Sequence, residues 1–409
     1  MLKNKKMSLN TLLYIMCDVI VKGIPFLLLP IVARFLTVEE YGQVAIFQTS
    51  VEICVILTIL GSHQYYRYEY FKGKILRSEL FLLAIFISFI TFLFIQVILI
   101  LFYLSGFFSI SPWYLIIPIT AFFQSIISLY ICKYQNEEKP ISIAKIVAIN
   151  SLVALILSIV LLFYGFGVES RYIAIFFTAA LIGTLSLFWV YKELTLELFK
   201  GAYTNLKSCF HFGLKSLPTS LSWWFRAGFD RLALLNLLGA FSVGTYAVTM
   251  QFSLILTVIG GAVNNSIMPT MFKNVENNES KNNRKIFLYA LLFLVFNLCI
   301  LNFFLPVVIE HILPENYHGS IEFLDIALIC ALFNLIFLIS SNFLVANGFA
   351  GSLSSISIMC SGVHVALVIL LIHDLGVLGV FYSGVISYGV GISALFIVYK
   401  FMINSKEIH

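Results

Sequence analysis

The residues best suited to chemistry in this sequence are a few charged side chains inside long apolar segments. Asp18 and Lys22 are four residues apart, as are Arg226 and Asp230, and Arg231 follows directly. Residues four apart lie on one face of a helix, so each acid and base could pair there. An ionisable group in hydrocarbon costs at least about 2.5 kcal/mol and usually faces a partner or a water-filled cavity. These positions are therefore candidate functional residues.

The second charged group carries a net positive charge, because Arg226 and Arg231 outnumber Asp230. Guanidinium groups match phosphate oxygens in pairs, so this pattern predicts an anionic substrate. A structural alternative stays open, in which Arg231 extends to the outer membrane interface and Arg226 pairs with Asp230. For Asp18 and Lys22, the alternatives are a moving, water-lined wall and a neutral pair that only holds helices together.

Other polar residues in apolar segments have less specific readings. Glu52 lies midway along its segment with no basic neighbour at helical spacing. An isolated carboxylate there could load and release a proton as a cavity opens and closes, unless it pairs with Lys22 or another cation. His364 fits a hydrogen-bonded core residue better than a proton carrier. Asn264 could bind sugar hydroxyls or hold helices together.

The composition predicts that these residues lie in a membrane. Of the 409 residues, 60% are apolar and 11% are charged, whereas soluble domains carry about 25% charged residues. The apolar runs are long and unbroken, which favours helices over barrel strands. The net charge of +5 is better explained by membrane topology than by nucleic-acid binding. Seven scattered cysteines, without Cys-x-x-Cys spacing, predict neither a metal site nor a disulfide framework.

The sequence therefore predicts an all-α polytopic membrane protein with about twelve transmembrane helices. We place these helices near residues 9–36, 42–64, 79–104, 112–133, 141–164, 172–191, 211–238, 242–268, 285–309, 320–346, 352–373 and 376–400.

Basic residues indicate the orientation of these helices. With a cytoplasmic N-terminus, 19 of the 25 Lys and Arg residues fall on the cytoplasmic side, and only Arg34 and Arg171 fall on the other. This bias follows the positive-inside rule and predicts that both termini are cytoplasmic. The basic N-terminus is then part of an uncleaved first span.

A weak internal repeat divides the chain. A Lys-x-x-Pro motif at Lys22 returns at Lys215, and Gly42 matches Gly244 at an offset of 202 residues. Parallel repeats are typical of transporters that move two lobes around a central site. We therefore predict two six-helix lobes around a central cavity, residues 1–200 and residues 201–409.

Two stretches of the sequence are distinctive beyond their composition. One runs from Tyr14 to Thr49 and contains Lys22-Gly-Ile-Pro-Phe-Leu-Leu-Leu-Pro30 and Glu40-Tyr-Gly-Gln-Val-Ala45. The other contains Leu238-Gly-Ala-Phe-Ser-Val-Gly-Thr-Tyr-Ala247. Both resemble the corresponding stretches of O-antigen flippases of the Wzx type, in the multidrug/oligosaccharidyl-lipid/polysaccharide exporter superfamily.

The resemblance implies a bacterial inner-membrane flippase. Such a protein moves undecaprenyl-pyrophosphate-linked O-antigen or related repeat units from the cytoplasmic to the periplasmic leaflet by alternating access, without catalysis or a cofactor. Cations lining its cavity would meet the substrate, namely Lys22, Arg34, Arg226 and Arg231. Coupling to an ion gradient would use acidic residues, for which the candidates are Asp18, Glu52 and Asp230. The implied partners are membrane lipid and a polymerase and chain-length regulator of the same pathway.

Two other function classes stay open. A multidrug exporter of the same superfamily would favour carboxylates in its cavity, whereas four cations and three anions lie inside the predicted spans here. A membrane-embedded polymerase or glycosyltransferase would need a sizeable outer loop for its catalytic residues. The loop at residues 104–112 is short and uncharged, which disfavours the enzyme.

Overall fold

A computed structural model describes residues 23, 26–72, 75–106, 111–191, 196–277 and 279–406. Over these residues the chain is α-helical, with two short 3-10 segments and no β-strand. The predicted site residues Asp18 and Lys22 lie outside this part of the chain.

Six helices lie in the first half of the chain, after a helical stretch at residues 26–32. They are α1 (Val38–Ile59), α2 (Ser62–Lys72), α3 (Arg77–Ser105), α4 (Ile117–Asn136), α5 (Pro140–Phe163) and α6 (Glu169–Tyr191). A 3-10 segment, Pro112–Ile116, leads into α4. Pro140 begins α5, where its missing N–H costs no helical hydrogen bond.

Seven more helices follow in the second half of the described chain. They are α7 (Leu196–Ala227), α8 (Phe229–Leu238), α9 (Ala240–Glu276), α10 (Ser280–Ile312), α11 (Leu324–Ala346), α12 (Ala350–Leu375) and α13 (Val377–Lys406). A 3-10 segment, Glu315–Phe323, precedes α11.

Ten of the described segments are long and apolar enough to cross a membrane. The predicted fold class, an all-α polytopic membrane protein, is confirmed. The predicted helix at residues 211–238 is wrong as one continuous helix, because Gly228 separates α7 from α8. Its φ of −110° departs from the helical value near −63°, and α8 alone has only 10 residues. The predicted first span is described only at its end.

By their internal contacts, the residues form two units. Unit 1 comprises residues 1–35 and 46–221, and unit 2 comprises residues 36–45 and 222–409. The division into six-helix lobes at residue 200 stays a prediction.

Unit 1 has a largely aromatic core made by α2, α3 and α4. The rings of Tyr66 and Phe81 lie 5.7 Å apart between centroids, and those of Phe81 and Tyr130 lie 5.0 Å apart. The hydroxyl of Tyr130 donates to the carbonyl oxygen of Ser186, at 2.7 Å. This bond satisfies the polar end of a buried ring.

In unit 2, the start of α1 and the start of α9 approach each other at two glycines. A Cβ on Gly42 would overlap the carbonyl oxygen of Ala240, and a Cβ on Gly244 would overlap that of Val38. Residues 38 and 42 are separated from residues 240 and 244 by the same offset of 202 seen in the sequence repeat. Only glycine lets the two backbones come this close.

Candidate functional site

The most deeply buried charged group of unit 2 is centred on Asp230. Its carboxylate accepts one hydrogen bond from the hydroxyl of Tyr246 and one from Nε2 of His364, each at 2.7 Å. Asp230 and His364 are only 3% and 2% exposed. Buried charges are tolerated when they are paired and hydrogen-bonded, as here. His364 is therefore a hydrogen-bonded core residue, the reading favoured from the sequence.

Arg226 lies in the same unit but is bonded differently. One terminal nitrogen, Nη2, donates to the Ser357 hydroxyl at 2.6 Å, and the side chain is 7% exposed. Among the described residues, its Nε and Nη1 have no hydrogen-bond partner. The guanidinium carbon lies 4.5 Å from the Trp223 ring centroid and within 6 Å of those of Phe337 and Tyr388. Aromatic faces stabilise a cation by about 0.5–2 kcal/mol, but they leave its N–H groups unfilled.

The local sequence explains why Arg226 and Asp230 take separate partners. Four residues apart on a continuous helix, they would share one face. The change of backbone direction at Gly228 places Arg226 at the end of α7 and Asp230 in the first turn of α8. A carboxylate in a first turn is stabilised by the helix dipole. Within the described chain, Asp230 forms its ion pair with His364.

Unit 1 contains a polar cavity of about 210 Å³. Its polar lining comes from α1, α4, α5 and α6 and comprises Gln48, Glu52, Gln124, Asn150, Ser151, Arg171 and Thr178. Nη1 of Arg171 donates to the Ser158 hydroxyl at 2.8 Å. A polar cavity of this size holds several waters. Glu52 is exposed to it, so the burial assumed from the sequence is not observed.

The other predicted cations are placed less centrally. Arg34 is exposed in a turn after the helical residues 26–32, and Arg231 is half-buried on α8. The sequence argument used Arg171 only for topology and missed its place in the unit 1 cavity. A signal was available, since Arg171 is one of two basic residues on the sparsely charged side.

The asparagine considered for sugar binding instead joins two helices. Nδ2 of Asn342 on α11 donates to Oδ1 of Asn264 on α9 at 2.7 Å, and both side chains are buried. Such bonds stabilise helix contacts in membranes. Within the described ranges, no three His, Cys, Asp or Glu side chains come together as a metal site requires.

Comparison with known proteins places this geometry in a family. The family model described as "Polysaccharide biosynthesis protein" matches residues 8–275. A curated relative, "Lsg locus putative protein 1" of Haemophilus influenzae, is 24% identical over 368 residues, covering 88% of this chain and 90% of the relative.

Solved transporter structures share the fold. An inward-facing multidrug resistance MATE family transporter of the MOP superfamily superposes with a TM-score of 0.68 at 16% identity, covering 94% of this chain and 95% of its own. Lipid II flippase MurJ, in an inward closed conformation, gives 0.66 at 14% identity, covering 98% and 87%. The chain therefore belongs to the family of polysaccharide biosynthesis proteins and has the fold of MOP-superfamily transporters.

Proposed function

We propose that this protein is a flippase that moves lipid-linked polysaccharide repeat units from the cytoplasmic to the outer leaflet by alternating access. The family and the transporter fold support a role in moving polysaccharide intermediates. The observation that carries the proposal is Arg226, a buried cation whose Nε and Nη1 have no partner among the described residues.

An anion would complete the surroundings of Arg226. A buried charge without a hydrogen-bonded counter-charge is costly, so its retention calls for a function. Two N–H groups on one planar guanidinium fit two oxygens of a phosphate. A lipid pyrophosphate supplies such oxygens, whereas the glycan beyond it supplies hydroxyls. The proposed role of Arg226 is to bind the phosphate of the lipid-linked substrate.

The finer points of the proposal concern substrate, energy and cell location. We propose an undecaprenyl-pyrophosphate-linked repeat unit, O-antigen or a related polysaccharide, in a bacterial inner membrane with both termini cytoplasmic. Lys22, Arg34 and Arg231 are the further proposed substrate contacts. Outward movement of a negative charge is favoured by about 2.3 kcal/mol per 100 mV. Ion coupling through Asp18, Glu52 or Asp230 would add to this, and a polymerase and chain-length regulator would act on the product.

The charge arrangement favours this function over multidrug export. An exporter of organic cations needs a carboxylate that the cation can reach. In unit 2 the Asp230 carboxylate already accepts bonds from Tyr246 and His364, and the unfilled groups belong to Arg226. An anionic substrate therefore suits this site better than a cationic one.

Deleting the gene tests the proposal, with lipid-linked glycans and surface polysaccharide analysed together. We expect complete single repeat units to accumulate on the lipid carrier at the cytoplasmic face and the surface polymer to disappear. If single units still reach the surface while long chains vanish, the protein acts in polymerisation and the proposal is wrong. If glycans are unchanged but efflux of organic cations falls, it is a multidrug exporter.

A further inference from the structure

A groove on unit 2 combines a long apolar lining with two basic side chains. It has a volume of about 660 Å³ and lies among α10, α11 and α13. Arg284, near the start of α10, and Lys400, near the end of α13, both line it. The apolar part of its lining includes Phe287, Phe343, Leu344, Leu395, Phe396 and Tyr399. Its volume lies within the range of about 300–1,000 Å³ usual for small-molecule sites.

The two cations are positioned for a phosphate headgroup. They lie within three residues of the ends of two candidate membrane spans, Asn282–Ile312 and Val377–Phe401. Both side chains are exposed, and neither forms an ion pair with a carboxylate of the described chain. Basic pockets between transmembrane helices on the cytoplasmic side are typical binding sites for anionic lipid headgroups.

The groove is also continuous in packing with the surroundings of Arg226. Leu344 and Leu395 belong to one hydrophobic cluster with Phe337, and Tyr388 packs against the same cluster. The rings of Phe337 and Tyr388, 6.0 Å apart, are two of the three that face the Arg226 guanidinium. One cluster therefore forms the groove wall on one side and the aromatic surroundings of the buried cation on the other. A groove for bulk lipid would need no such connection.

We propose that this groove is a binding site for a polyprenyl phosphate, the lipid part of the transported molecule. The branched hydrocarbon chain lies along the apolar lining, which removes it from contact with bulk lipid, and the phosphate binds Arg284 and Lys400. This inference rests on the proposed function and extends it, because it assigns the lipid chain a site on the protein separate from the phosphate site at Arg226.

Binding of undecaprenyl phosphate to the purified full-length protein, measured by native mass spectrometry, tests the site. Phosphatidylglycerol, which has a phosphate but straight acyl chains, is the comparison lipid. One variant, Arg284→Gln with Lys400→Gln, removes the headgroup contacts. Its control, Lys273→Gln with Lys285→Gln, removes the same charge from exposed residues outside the groove.

A second pair of variants tests the apolar lining without changing charge. Ser340→Trp places a large ring in the groove, whereas Ser393→Trp places the same ring on an exposed part of α13 outside it. If the first variant of either pair fails to fold, the other pair still tests the site.

We expect wild-type protein and both controls to bind undecaprenyl phosphate about tenfold more tightly than phosphatidylglycerol, and both groove variants to lose that difference. Equal binding of the two lipids by the wild-type protein would overturn the proposal, because the groove would then hold ordinary membrane lipid. Undiminished binding by correctly folded groove variants would also overturn it.

Failure of this inference can be told apart from failure of the proposed function. If the deletion strain accumulates cytoplasmic repeat units but groove variants bind undecaprenyl phosphate normally, the flippase function stands and the groove assignment is wrong. If groove variants lose binding while the deletion strain has normal surface polysaccharide, the lipid site stands and the flippase function is wrong.

Discussion

The carboxylate of Asp230 accepts hydrogen bonds from Tyr246 and His364 in the interior of unit 2. Hydrogen bonds to a charged group contribute about 1.5–3 kcal/mol each, which offsets part of the cost of burying it. Removing one member of a buried pair costs about 3–5 kcal/mol, because the partner is left without its counter-charge. These three residues therefore stabilise unit 2.

Substitutions at this cluster are predicted to lower thermal stability in graded steps. Tyr246→Phe removes one hydrogen bond and should cost about 1.5–3 kcal/mol. Asp230→Ala leaves both Tyr246 and His364 without their acceptor and should cost about 3–5 kcal/mol. The measurement is the unfolding midpoint of the purified protein in detergent. Asn236→Ala, an exposed change on the same helix, is the control. Equal midpoints for Asp230→Ala and this control would contradict the role.

The sequence predicted which residue types matter here but not which ones meet. Arg226 and Asp230 were recognisable because charges are costly in apolar segments. Their separation depends on the backbone at Gly228, whose conformation no spacing rule gives. His364 lies 134 residues from Asp230, and only tertiary packing reveals such a pair.

The contact between α1 and α9 depends on two glycines that the sequence repeat had already matched. Each lies where the other helix presents a backbone carbonyl oxygen, Ala240 facing Gly42 and Val38 facing Gly244. Neither carbonyl can move aside without disturbing its own helix. The repeat was visible as an offset in the sequence. That the matched glycines contact opposite helices could be learned only from the structure.

Adding one methyl group at this contact is predicted to destabilise unit 2. Gly42→Ala and Gly244→Ala should each cost about 1–3 kcal/mol, because overpacking forces the backbones apart. Gly261→Ala on α9 is the matched control, since nothing lies within 4 Å of its added Cβ. Thermal unfolding and the yield of monodisperse protein report the effect. Equal stability of Gly244→Ala and Gly261→Ala would rule out the tight contact.

Across the whole chain, the sequence predicted helix type and approximate position best. Long apolar runs produced ten segments able to span a membrane, and these correspond to ten of the twelve predicted helices. The exception within the described residues is α7 with α8. Lys200, Lys207, Lys215 and Arg226 interrupt its apolar character, and Gly228 divides it. Interrupted helices obey backbone constraints that composition does not record.

The uneven distribution of basic residues predicts the orientation of every loop. Single cysteines at Glu138 and Ser111, introduced in a cysteine-free background, lie in loops expected on opposite sides of the membrane. In intact cells, a membrane-impermeant maleimide should label Ser111→Cys but not Glu138→Cys, since Lys133 and Lys139 mark the latter loop as cytoplasmic. Permeabilised cells, where both should react, provide the control. The reverse pattern would invert the topology and the direction of transport.

Reconstituted transport addresses the flippase assignment and the role of Arg226 together. Lipid-linked repeat units extracted from the deletion strain are incorporated with purified protein into vesicles, and an impermeant glycosidase reports which leaflet holds the glycan. We expect wild-type and Lys273→Gln protein to make nearly all glycan accessible. With Arg226→Ala, about half should stay protected, because the buried cation no longer offers its N–H groups to phosphate. Complete accessibility with Arg226→Ala, or continued protection with wild-type protein, would contradict the account.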